Sequence, residues 1–180
     1  MNVSAIYEDW FPMDELFEIK KRLWNETITE TDASSVQDHT MRQYELCVEL
    51  ADRISQRRGA ANTFFLTFNT LAVGALSGVS NFAPARAIII LCFAGMLLCV
   101  IWAVLLLSYR RLNTAKFKVI GLLEERLPAS PLWAAEWKAL GEGKDYSKYI
   151  PLTFVETWIP IIFGLVYLAV ALLEKGCVTS

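Results

Sequence analysis

The chain has 180 residues, about the size of one ordinary domain, and 54% of them are apolar, above the roughly 45–50% usual in soluble domains. A formal net charge of −2 supplies no basic face, which argues against nucleic acid as a partner. One histidine, His39, and four cysteines without a close CxxC pair (Cys47, Cys92, Cys99 and Cys177) argue against a zinc cluster or a disulfide framework, and no cofactor is expected.

The first residues are acidic: Glu8, Asp9, Asp14 and Glu15. A cleavable signal needs a basic start, so the first apolar block is expected to act as an uncleaved anchor. Pro12 followed by Asp14 and Glu15 marks a helix start, with the acids favourably placed against the helix dipole and Lys20, Lys21 and Arg22 at its far end. Met13, Leu16, Phe17, Leu23 and Trp24 give that helix an apolar face. It either docks on the protein or lies on the membrane surface, and docking is the plainer reading. Residues 25–40 are polar and read as a linker; the sequon Asn25-Glu26-Thr27 has no meaning in a cytoplasmic segment.

From Met41 onward, Met41, Tyr44, Val48, Ala51 and Ile54 recur at helical spacing with no proline before the first apolar block. No charge lies between Arg58 and Arg86, or between Arg86 and Arg110, and each interval exceeds the roughly 20 residues a spanning helix needs. The spans are placed at 62–79 and 87–107, joined by a tight turn at Asn81-Phe82-Ala83-Pro84. Phe117, Ile120, Leu123 and Leu127 carry the second helix beyond its span. Residues 41–127 therefore read as one long antiparallel hairpin that extends from the membrane as a helical stem. Glu49 and Asp52 lie at a similar distance from the spans as Lys116 and Lys118, and either face them across the stem or are independently solvated. Exposed pairs of this kind stabilise by less than about 1 kcal/mol.

Pro128 and Pro131 mark a turn, and Ser130 is placed to cap a short helix reaching Leu140, with Trp133, Trp137 and Leu140 on one face. Gly141-Glu142-Gly143-Lys144-Asp145 resembles a phosphate loop only superficially: Asp145 stands where Ser or Thr is required and no strand precedes it. Tyr146, Tyr149, Phe154 and Trp158 approach the next apolar block as an aromatic belt does. That block, residues 157–173, reads as a third membrane helix near the lower length limit, with an interfacial or re-entrant segment as the alternative. Residues 174–180 form a tail.

Arg53, Arg57 and Arg58 precede the first span, and Arg110 and Arg111 follow the second, whereas the turn offers only Arg86. The positive-inside rule then places the N-terminal region and the stem in the cytoplasm. Within the spans, Thr63, Thr67, Thr70, Gly74 and Gly78 form a stripe flanked by Asn62 and Asn69, and Cys92, Gly95 and Cys99 form a second. Small residues let membrane helices approach, and hydroxyls or amides bond between them. The alternative is a water-filled path lined by Thr67, Asn69 and Thr70. Intramembrane acids and bases, which mark proton or ion pathways, are absent from the spans. No nucleophile–base pair or metal-ligand set is visible, so no catalytic residue is assigned and an enzyme is not expected.

The run from Tyr44 to Arg58 leading into Asn62-Thr63-Phe64-Phe65-Leu66-Thr67, the stretch Tyr109-Arg110-Arg111-Leu112-Asn113-Thr114-Ala115-Lys116-Phe117-Lys118, and Ala135-Glu136-Trp137 with Pro151-Leu152-Thr153 resemble the RipA-like family of small octameric bacterial membrane proteins. A more distant similarity is to the two-span SLATT proteins. The first resemblance implies a bacterial inner-membrane homo-oligomer of eight copies and brings no catalytic residues. The expectation is an all-α membrane protein acting as a non-enzymatic scaffold or regulator of envelope physiology, in contact with lipid and with a cytoplasmic protein partner. The alternative is an oligomeric channel lined by the hydroxyls and amides of the first span.

Overall fold

The computed structural model describes residues 13–24, 33–79, 82–140 and 152–179. Pro12, the sequon at 25–27, Asn81, the loop 141–145, Tyr146 and Tyr149 lie outside the described residues, as do the side chains of Phe154 and Cys177. Every regular element described is helical: α1 (Met13–Leu23), α2 (Ala33–Val79), α3 (Ala85–Glu124), a π-helical turn (Pro131–Glu136) running into α4 (Trp137–Ala139), and α5 (Leu152–Thr179). The chain divides into two compact units, Met1–Ile54 with Arg111–Ile150, and Ser55–Arg110 with Pro151–Ser180.

α2 begins at Ala33, so the helix takes in polar residues expected to belong to the linker. Once a helix is nucleated, each further residue adds a hydrogen bond at little cost, and a polar sequence can extend it. Thr40, buried in this extension, returns its hydroxyl to the Val36 carbonyl at 2.8 Å. Pro84 precedes α3, and its carbonyl accepts from the Ala87 amide at 2.8 Å. α3 closes at Glu124 with tightened bonds from Arg126 to Leu123 and from Leu127 to Glu124, both 3.1 Å, before Pro128.

In the first unit, Leu16 of α1, Ala51 and Ile54 of α2, and Ile120, Leu122 and Leu123 of α3 are buried. α1 is docked rather than free. Lys118 donates to Glu15 at 2.7 Å, Lys20 to Glu125 at 2.6 Å, and the Arg126 guanidinium lies 3.4 Å from the centre of the Trp24 ring. Phe17 remains 68% exposed.

A clasp closes the end of α3. The buried Glu124 carboxylate accepts from the Tyr44 hydroxyl (3.1 Å), the Ser130 hydroxyl (2.5 Å) and the backbone amides of Leu132 (3.1 Å) and Trp133 (3.0 Å). A buried carboxylate costs several kcal/mol unless hydrogen-bonded, and here every partner is a neutral donor. Burial, then the neighbouring Glu124 charge and its hydrogen bond, push the Tyr44 phenol up to about 12. Ser130 also caps the following turn by accepting from the Ala134 amide at 3.3 Å. The Trp133 ring lies so close to Gly121 that a Cβ there would sit 2.7 Å from it, which is why that position carries no side chain.

In the second unit, Leu76, Ile88, Cys92, Cys99 and Tyr167 form one buried cluster. Trp102, with no exposed surface, stacks on Phe65 at 5.7 Å between centroids and meets Phe163 at 6.3 Å. α5 carries Pro160 in its interior. Neighbouring helices make such a break tolerable in a membrane protein.

Candidate functional site

α3 and α5 are long and apolar enough to cross a membrane, the latter over the 21 residues Val155–Lys175. Fewer than a third of the residues in either window are buried, unlike the core helix of a soluble protein. The exposed residues are bulky and apolar: Phe93, Leu97 and Val104 on α3, and Trp158, Leu165 and Leu172 on α5. Water would penalise a surface of this kind, and lipid does not. α2 is not among the helices that pass on apolarity, because Asn62, Thr63, Thr67, Asn69 and Thr70 dilute its apolar stretch.

The two small-residue stripes expected from sequence have different fates. Cys92, Gly95 and Cys99 are buried. The ring of Tyr167 lies flat against Gly95, where a Cβ would meet ring carbons at 2.5 to 2.8 Å. Asn69, with no exposed surface, joins the same seam. Its Oδ1 accepts from the Tyr167 hydroxyl at 3.1 Å and from the Cys99 thiol at 3.5 Å, while its Nδ2 donates to the Phe65 carbonyl at 2.8 Å. One amide thus ties α2 to both α3 and α5. Such interhelical bonds contribute about 0.6 kcal/mol on average in membranes.

Thr63, Thr67, Thr70, Gly74 and Gly78 point the other way and are all exposed. The structure therefore separates Asn69 from the threonines with which it was grouped as a water-path lining. The Thr70 hydroxyl donates to the Leu66 carbonyl at 2.8 Å and Ser77 to the Gly74 carbonyl at 2.7 Å. Both have a partner on their own helix.

The charged residues also divide. Arg58 reaches Glu156 of α5 at 3.6 Å, with the two side chains 16% and 10% exposed. Arg57 and Arg110 of the same unit are exposed, as is Arg111 of the first unit. In the first unit, Glu49 accepts from Arg53 one turn on at 2.7 Å, and Lys118 donates to Glu15 as described; Asp52 is exposed and Lys116 half-buried. Three buried residues that tie elements together were not singled out from sequence: Tyr167, Glu156 and Glu124. The available signals were a lone tyrosine in an apolar span, an acid abutting that span, and an acid four residues before Pro128. Among the described residues no group of three His, Cys, Asp or Glu side chains is placed to hold a metal ion.

Among the described residues every regular element is helical, and with a lipid-compatible surface and a sealed internal seam they define a helical membrane protein. The chain belongs to the octameric membrane protein family (8xMP), whose family model matches residues 41–175. The resemblance to small octameric membrane proteins is thereby borne out. No curated protein and no solved structure matches the chain.

Proposed function

We propose that the chain assembles as a non-enzymatic homo-octamer of the bacterial inner membrane and serves as a scaffold or regulator of envelope physiology. The observation that carries the assembly reading is membership of a family described as octameric. In this reading residues 62–79, 87–107 and 157–173 all span. The stacking of Phe65 on Trp102 and the meeting of Asn69 with Cys99 support an antiparallel hairpin for the first two. Arg53, Arg57, Arg58, Arg110 and Arg111 hold the first unit in the cytoplasm by the positive-inside rule, where it is the surface that a protein partner meets. Asp52 and Lys116 face each other across the stem.

The test is the native mass of the complex purified in mild detergent or lipid nanodiscs. A discrete mass near eight copies supports the reading. A monomer or dimer under both conditions overturns it and leaves the spans as anchors for a cytoplasmic binding module. Exposure of Thr63, Thr67 and Thr70 favours one further reading, a channel. It requires that reconstituted protein conduct and that Thr67→Leu change the conductance.

A further inference from the structure

Within the second unit, α2 carries two seams of the same period. Asn62, Phe65, Asn69, Ala72 and Leu76 are buried or half-buried and fill the interior of the unit. On the far side Ala60, Thr63, Thr67, Thr70, Gly74 and Ser77 are all exposed. Both sets step by three and four residues in alternation. An average of 3.5 is the spacing at which one helix keeps a narrow stripe against another crossing it at about 20°.

We propose that this outer seam is the surface on which a second copy of the chain packs. The proposal rests on the octameric reading and names the face that builds it. Its chemistry differs from the other exposed surfaces of the unit. α3 and α5 present bulky apolar side chains, and so does the neighbouring strip of α2 with Phe64, Phe68 and Leu71. Those surfaces suit lipid. Nothing larger than threonine stands on the outer seam, so a neighbouring backbone can approach closely, the condition under which membrane helices associate.

Gly74 sharpens the case. Glycine is unfavourable in a helix interior, and a Cβ at Gly74 would meet nothing within 4 Å in the subunit. Nothing in the subunit packs on that face of Gly74, and the same holds for Gly78 one turn on. Thr70 and Ser77 already donate to their own helix, so neither hydroxyl needs water when the seam is covered.

The width of the seam also distinguishes a neighbouring copy from a lumen. A stripe one residue wide per turn, bordered by Phe64, Leu66 and Leu71, matches a helix–helix contact. The wall of a water-filled ring would place those apolar borders in water.

Gly74→Leu and Thr67→Trp in the full-length protein provide the test, with Leu71→Trp as the control on the lipid-facing strip. Native mass in nanodiscs should move by at least tenfold in population from the large species to smaller ones for the first two, and stay as wild type for the control. Helical content should be unchanged in Gly74→Leu, because the substitution enters open space in the subunit. Retention of the wild-type mass by both seam variants overturns the proposal, with or without altered conductance. Equal loss in Leu71→Trp overturns it too, since the seam would then not be distinct. A wild-type protein that never assembles instead refutes the octameric reading itself.

Discussion

Replacing Gly95 by alanine is a sensitive test of the sealed seam. The added methyl would lie 2.5 to 2.8 Å from three carbons of the Tyr167 ring, against an ordinary carbon contact of about 3.5–4.0 Å. The ring must retreat by roughly 1 Å. It is only 1% exposed, packed beside Cys92 and Cys99, and fixed at its far end by the bond to Asn69. Overpacking of this kind costs about 1–3 kcal/mol. A weakened Tyr167–Asn69 bond adds about 0.6 kcal/mol. Exchange of glycine for the better helix former returns about 1 kcal/mol. The net expectation is a loss of about 0.5–2.5 kcal/mol. In the dissociated subunit Gly74→Ala gains the same propensity without a clash and should be neutral or more stable by up to about 1 kcal/mol. Reversible denaturation in mixed micelles, followed by circular dichroism, measures both on one scale. If Gly95→Ala proved as stable as Gly74→Ala, the close packing of Tyr167 on α3 would be wrong.

Three further outcomes follow from the side-chain geometry. Glu124→Ala strips four donors of their acceptor and should destabilise the first unit by about 2–5 kcal/mol, with the loss visible as faster proteolysis near residues 125–136; unchanged protection would refute the clasp. Tyr44 should titrate near 12, above the usual tyrosine value of about 10. Because the folded state holds this proton more tightly than the unfolded state, the contribution is intact below about pH 10 and lost as pH rises towards 12. The late alkaline absorbance change should be smaller by one phenol in Tyr44→Phe than in wild type, and an equal late change in the two proteins would assign the shift elsewhere. Asn69→Leu should leave the Tyr167 hydroxyl unsatisfied and cost about 1–3 kcal/mol of stability, whereas Thr67→Leu should leave the subunit within about 0.5 kcal/mol of wild type; the reverse order would show that Asn69 is not the interior residue.

Much of the architecture follows from properties local to the chain. A bilayer demands length and apolarity, and α3 and α5 meet that demand by composition alone. Proline ahead of the first turn and acids within it place α1 where it is found; Pro84 likewise stands at the start of α3, where proline is well suited, and Pro128 lies just beyond its end, where proline favours a stop. Tertiary structure decided what each polar residue does. Thr67 and Asn69 are two positions apart, about 200° around the helix, and nothing in either residue says which one turns inward. That choice is made by Tyr167, nearly a hundred positions away, whose hydroxyl needs an acceptor once its ring has filled the space over Gly95. Glu124 likewise looks like one acid among several until Tyr44 and the amides beyond Pro128 converge on it. Helix formation is governed by neighbours in sequence, so it can be read there. Burial of a polar group is governed by the partner that satisfies it, and only the folded chain brings that partner within reach.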